Sequence, residues 1–302
     1  MRYILKKFVL LVVLSVFFLN GFSLPTIFAS PVAPSVSPRF KSAIKGFYRD
    51  RFVSPTGIFI DREHDEIYVA DSGRGEVFIF DTSGTPLFRL GRSSGITLPL
   101  DVAVSGDRIY VSQEGRPYVD ILDQRGEPAG RLTMGDTPFL PGRMDTDDEG
   151  NLYVINKKLG VCHVFDRDGK FLRTIGEDLT SLAGVGVGRD RVYLITPFYR
   201  RGRVIHVYGK DGAYIRSFEG IEAEGGTLVL PTAAKVDPFG NLWVVDSLRG
   251  VSIYDKEGNK INAFGWAGPV YERLLFPVDI DFDGRGMIYF VDKENKRISV
   301  FK

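Results

Sequence analysis

The sequence predicts an all-β fold: a six-bladed β-propeller closed by pairing an N-terminal strand with the C-terminal blade. Three observations predict it. One strand pattern recurs six times, as IYVAD (67–71), IYVSQ (109–113), LYVIN (152–156), VYLIT (192–196), LWVVD (242–246) and IYFVD (288–292). A polar, often basic stretch follows each copy, then a second strand: VFIFD, VDILD, CHVFD, IHVYG, VSIYD and ISVFK. The last copy stops after that second strand at Lys302, while an orphan strand-like segment, FKSAIKG (40–46), precedes the first.

Each unit opens on a proline in all but one case, at Pro55, Pro99, Pro141, Leu182, Pro231 and Pro277, in steps of 41–49 residues. Alternating β-branched and aromatic residues at that period, punctuated by Asp-Gly and Glu-Gly turns, read as one four-stranded blade per repeat. Strand a follows the opening residue, and a turn such as DDEGN (147–151) leads to strand b. A polar loop leads to strand c, and a turn such as DRDG (166–169) leads to strand d. Near-continuous apolar content in strands b and c fits sheets buried on both faces between neighbouring blades. The final unit lacks strand d, and FKSAIKG resembles one. Pairing the two completes blade six and removes an exposed edge.

The chain has 302 residues, 44% of them hydrophobic and 13% aromatic, enough for a sizeable core and against global disorder. Residues 1–29 differ in kind from the rest. Arg2, Lys6 and Lys7 precede the apolar run FVLLVVLSVFFL (8–19), and small residues follow at Ala29 and Ser30. This is the pattern of a signal peptide, with an uncleaved membrane anchor as the alternative. The apolar run is shorter than the ~20 residues a spanning helix needs. Both readings export the bulk of the chain, to the periplasm or the extracellular space. Residues 30–38 (SPVAPSVSP) form a Pro/Ser linker, leaving 39–302 for the propeller. Loss of the leader leaves 36 basic against 38 acidic residues. Such near-neutrality gives no general drive toward nucleic acid or anionic membrane. Cys162 is the only cysteine, and its strand setting reads as a small buried apolar residue.

The blade pattern resembles NHL repeats. PTGIFIDREHDEIYVADSGRGEVFIFDTSGTPLFRLG (55–91) carries it most fully, followed by LPTAAKVDPFGNLWVVDSLRGVSIYDKEGNKINAFG (230–265). The resemblance covers 40–302. It departs most in blade four, where Leu182 replaces the proline and ITPFYRRGR (195–203) replaces the Asp-containing loop. It implies a binding module more than an activity. Related animal propellers read RNA. The export signal and the lack of regularly interleaved aromatics argue against nucleic acid here.

Propellers place ligands at the channel mouth, on the face built by the b–c and d–a loops. Every b–c loop carries Arg or Lys, so Arg74, Arg116, Lys157, Arg201, Arg249 and Lys296 are candidate contacts on a basic rim. The competing reading is that short loops simply carry solvated side chains. Aromatics gather in the same loops as Phe47–Tyr48, Phe198–Tyr199, and Trp266 with Tyr271. Tyr199 and Trp266 are therefore candidate contacts for a protein, glycan or small anionic ligand. The chain reads as a monomer, with membrane contact only through an uncleaved N-terminal segment.

Period-two alternation along strand a puts Asp101, Arg143, Asp145, Lys235, Asp279 and Asp281 in the channel. A hard cation such as Ca²⁺ suits four carboxylates. An internally neutralised, water-filled channel suits the two cations among them. No catalytic residues are assigned and no cofactor is required, apart from the divalent cation that Asp101, Asp145, Asp279 and Asp281 would hold. These features point to a non-enzymatic binding scaffold. The alternative is a metal-dependent hydrolase or lyase of lactonase or amidating-lyase type. His64, His163 and His206 are too few and too dispersed to converge on zinc, and no nucleophile elbow is present.

Overall fold

The computed structural model describes residues 38–197, 203–219, 227–265 and 273–302. The expected leader, most of the linker, Phe198, Tyr199, Arg201, Trp266 and Tyr271 lie outside the described residues. Within them the chain forms six four-stranded antiparallel sheets and one two-stranded ribbon of Gly46–Phe47 with Asp50–Arg51. Five sheets follow chain order. The sixth runs Phe40–Ile44, Arg297–Phe301, Ile288–Asp292, Pro277–Phe282, so the expected closure is observed. Ile44 pairs with Ile298 and Phe40 with Phe301, and Arg39 and Lys302 exchange backbone hydrogen bonds beyond the strand ends. No helix among the described residues is long and apolar enough to cross a membrane.

The core lies between blades, which explains why strands b and c are apolar at nearly every position. In blade one, Ile67 and Val69 pack toward blade six beside Val291 and Ile298, while Tyr68 and Ala70 pack toward blade two beside Val102 and Val111. A strand whose two faces meet different neighbours cannot alternate polar and apolar. The outer strands are half-solvated, with Leu87, Phe88, Phe171, Leu172, Tyr214 and Ile215 exposed.

Aspartates hold the turns on the face opposite the b–c loops. Asp147 accepts hydrogen bonds from the backbone N–H of Glu149 and Asn151, and Asp237 from Phe239 and Asn241. The aromatic residue of strand b closes each of these turns, Tyr153 donating to Asp147 and the Trp243 indole to Asp237. On the loop-rich face the last residue of strand b does the matching work. Asp71 accepts from the N–H of Val53 and Ser54, and Asp246 from Val229 and Leu230. These contacts satisfy backbone donors that leave the ladder.

Deleting residues 39–44 should strip the edge of Arg297–Phe301. At roughly 1 kcal/mol per lost ladder hydrogen bond the cost is about 5 kcal/mol, or a fall of about 10–20 °C in Tm. Differential scanning calorimetry with light scattering checks this, and a parent-like melt without aggregation would contradict the closure.

Candidate functional site

The innermost strands, Pro55–Asp61, Pro99–Ser105, Pro141–Thr146, Gly184–Val187, Pro231–Val236 and Pro277–Phe282, surround the axis. The six channel candidates do come together, but not as open ligands. Strand a is the inner edge of its blade, so its side chains point along the ring at the neighbouring blade. Asp101 accepts from the N–H of Met144 in blade three (2.8 Å), and Asp145 from Val187 in blade four (2.8 Å). Across the closing seam, Asp279 and Asp281 accept from Ile58 (3.0 Å) and Ile60 (2.9 Å) of blade one. Each carboxylate also accepts from the next N–H of its own strand.

Only the long cations reach the axis. Arg143 crosses from blade three, donating to the carbonyls of Thr56 (2.6 Å) and Val278 (2.7 Å) and to Asp279 (3.1 Å), with Asp101 at 3.7 Å. One layer toward the opposite face, Lys235 bridges Asp145 (2.6 Å) and Asp281 (3.2 Å) over the ring of Phe59. Small inner residues make this possible, since a Cβ on Gly57 would stand 2.3 Å from the Asp101 carboxylate. The expected water-filled channel is therefore a two-layer plug. A void of about 10 Å³ remains between the layers, room for about one water.

Arg62, which the sequence reading missed, reaches Asp281 at 3.3 Å from the far side. Four carboxylates against Arg143, Lys235 and Arg62 leave one negative charge in excess. Burial, then the charge of Asp279, pushes the Asp101 carboxyl up, and Arg143 offsets this only in part. Burial also raises Asp279 and Asp145, the latter despite Lys235. Burial disfavours the Lys235 ammonium, but Asp145 and Asp281 more than offset it and hold the proton firmly. Among the described residues, no group of three or more His, Cys, Asp or Glu has the geometry of a metal site. A divalent cation among these aspartates would have to displace Arg143 or Lys235.

The plug separates two mouths. The one on the loop-rich face is a cavity of about 280 Å³ with Arg143 at its floor and Lys157 and Lys293 in its lining. The other, of about 490 Å³, is lined by Asp61, Glu63, Asp147, Asp148 and Glu149 with Arg62 and Arg167. On the rim, Arg74 donates to the Arg51 carbonyl, and Arg116 is held by Asp120 and Thr97. Lys157 lies 3.2 Å from Glu114, and Arg249 and Lys296 are exposed. Arginines also occupy the opposite face, where Arg108, Arg191 and Arg216 donate to carbonyls in the turns of the next blade. Basic residues are thus not confined to one rim. Phe47 packs on Phe78 and Phe80, leaving Tyr48 exposed beside it.

The sequence reading also missed a collar of exposed apolar residues on the loop-rich face: Val53, Leu98, Leu159, Leu248 and Leu275. Its signal was available, since several opening prolines follow Leu or Phe, as in TLP, FLP, VLP and LFP. His163 is buried against Asn156 and Thr174, and burial pushes its pKa down. His206 is buried in blade four and lowered for the same reason. His64 is bound to Asp61 on the opposite face.

No family model and no curated protein matches the sequence. Solved structures do. The chain is similar to a gluconolactonase from Xanthomonas campestris, with TM-score 0.66 and 16% identity over 90% of this chain and 98% of that one. It is also similar to a streptogramin B lyase, with TM-score 0.62 and 11% identity over 86% and 96%. Virginiamycin B lyase from Staphylococcus aureus aligns with TM-score 0.59 and 13% identity over 78% and 77%. A variant of that lyase with one histidine changed to alanine is catalytically inactive. At such identities the likeness establishes the six-bladed fold alone.

Replacing Arg143 or Lys235 with Met should leave like carboxylates facing each other, at a cost of about 3–5 kcal/mol near neutral pH. Mild acid should restore part of it. The sign follows from the raised native pKa of Asp101. Between the unfolded value of about 4 and that raised value, the folded state binds the extra proton, so stability falls as pH rises. Chemical denaturation across pH 5–9 should show that slope in the parent, a steeper one in Arg143→Met, and a flatter one in Asp101→Asn.

Proposed function

We propose that the chain is an exported, non-enzymatic binding module of the NHL-repeat kind that works through its loop-rich face. One observation carries this reading. The channel carboxylates are committed to neighbouring backbone and to internal cations, so the described lining of the mouth above them holds no carboxylate, histidine, serine or cysteine, and Thr56, Lys157 and Lys293 stand there without a general base to activate them. What that face does offer is cations and exposed leucines, which suit recognition. The N-terminal leader pattern supports export, and the repeat pattern supports the NHL assignment.

The enzymatic reading, a hydrolase or lyase at the channel mouth, is favoured by the activities of the structural neighbours, a lactonase and two lyases. In one of them a histidine is essential. Here none of the three histidines of this chain lines the mouth. The donor set also fits a metal poorly, because Arg143 and Lys235 occupy the positions between carboxylates that a divalent cation needs.

Purified mature protein should turn over neither gluconolactone nor a streptogramin B, with or without added Ca²⁺, Mg²⁺ or Zn²⁺. Its melting temperature should not move on treatment with a chelator. Turnover lost on chelation and restored by one metal would replace the binding reading with the enzymatic one.

A further inference from the structure

The mouth on the loop-rich face joins two kinds of surface. Leu100, Leu182 and Val278 supply apolar wall, three cations supply charge, and no carboxylate lies in the described lining. The cations differ in freedom. Arg143 is tied into the plug and forms the floor. Lys157 lies across Gly142, where a Cβ would stand 2.9 Å from its Cγ and Cδ, so a glycine there lets the stem lie flat. Its partner Glu114 is on the rim with both groups partly exposed, a pairing of little strength. Lys293 belongs to blade six, on the far side of the ring from the blade-three Lys157. It is half-buried, and its ammonium has no hydrogen-bond or ion-pair partner among the described residues.

Lys157 and Lys293 face one opening with no carboxylate in its described lining, Glu114 countering Lys157 only from the rim and Asp279 countering Arg143 only from the plug below. The apolar walls strengthen the repulsion among these cations by lowering the local dielectric. An anion entering that space relieves the repulsion, and an apolar body attached to it covers the walls. Size bounds the body. A dry cavity of about 150 Å³ holds a benzene, so about 280 Å³ accommodates roughly twice that, a chain of about eight carbons. Leu98 and Leu275 are exposed just ahead of the wall residues Leu100 and Val278 in the chain, where a longer tail could continue.

We propose that this mouth binds an amphiphilic organic anion, a carboxylate or phosphate monoester with an apolar body of about eight carbons, its head between Lys157 and Lys293 above Arg143. The proposal rests on the reading of this face as the binding face and adds the class of ligand.

Isothermal titration of the mature protein with octanoate and octyl phosphate tests it, with inorganic phosphate and octanol as controls. Saturable one-to-one binding of either amphiphile is expected, with both controls at least about tenfold weaker. A Lys157→Glu, Lys293→Glu double variant should melt like the parent, since both lysines sit on loops, yet bind about tenfold or more weakly. Phosphate binding as well as octyl phosphate, binding indifferent to the lysine reversals, or no heat with any probe would each overturn the proposal. So would sedimentation with phosphatidylglycerol vesicles without binding of either monomeric probe, which would assign the face to a bilayer. None of these outcomes bears on the non-enzymatic reading, which turns on turnover. Gluconolactone turnover alongside octanoate binding would overturn that reading and leave this one standing.

Discussion

The aspartates of the innermost strands hold this ring together where a propeller is weakest. Near the axis the blades converge, apolar contact area runs out, and the inner edge of each sheet presents backbone donors with no next strand to receive them. A carboxylate on the neighbouring strand answers both problems: it accepts the N–H and reaches across the seam. Asp101 joins blades two and three, Asp145 joins three and four, and Asp279 and Asp281 together join six and one. Where no aspartate is present the seams use other means. Thr56 donates to the Pro99 carbonyl between blades one and two, and Ser247 to Pro277 between five and six. Between blades four and five the backbones approach so closely that a Cβ on Gly184 would meet Ala233 at 2.9 Å.

Burying four carboxylates carries a desolvation cost that the backbone contacts do not fully offset. Arg143 and Lys235 are the response, each spanning from its own blade to carboxylates on others. They fix the chemistry of the axis twice over. They neutralise the aspartates that would otherwise attract a metal, and they seal the channel into two separate cups. Residual imbalance is absorbed by protonation, since burial holds Asp101 and Asp279 toward their neutral forms and the charge of Asp279 adds to this at Asp101. A ring built this way trades a continuous channel for a rigid floor.

Much of this was legible in the sequence. The repeat gave the blade count, the truncated last unit with the orphan FKSAIKG gave the closure, and period-two alternation along strand a picked out the six charged residues that meet in the plug. The direction of those residues was not legible. Alternation says which side chains share a face, but not that the face of an inner edge strand looks around the ring instead of across it. Nor does a sequence report that an arginine from blade three is long enough to reach carbonyls of blades one and six. Arg62 carries no sequence signal, because it follows strand a at a turn, where a basic residue reads as solvated. The basic rim was legible only as composition. The structure shows Arg74 and Arg116 occupied with nearby backbone, hydroxyl or carboxylate oxygens, which no loop sequence reveals.

The distinction between charges the fold uses and charges it does not use separates the two mouths. The acids of the lower mouth look like a cation site, yet Asp61 and Asp147 are holding turn backbone and Asp148 is paired with Lys210. Their acidity follows from turn construction. On the upper mouth the balance reverses. The Lys157 ammonium pairs with only a rim glutamate, and the Lys293 ammonium has no hydrogen-bond or ion-pair partner among the described residues. Leu98, Leu248 and Leu275 are likewise exposed where polar residues would have served the loops as well. These side chains gather around one opening over a sealed floor, and it is on them that the proposed binding reading of this face rests.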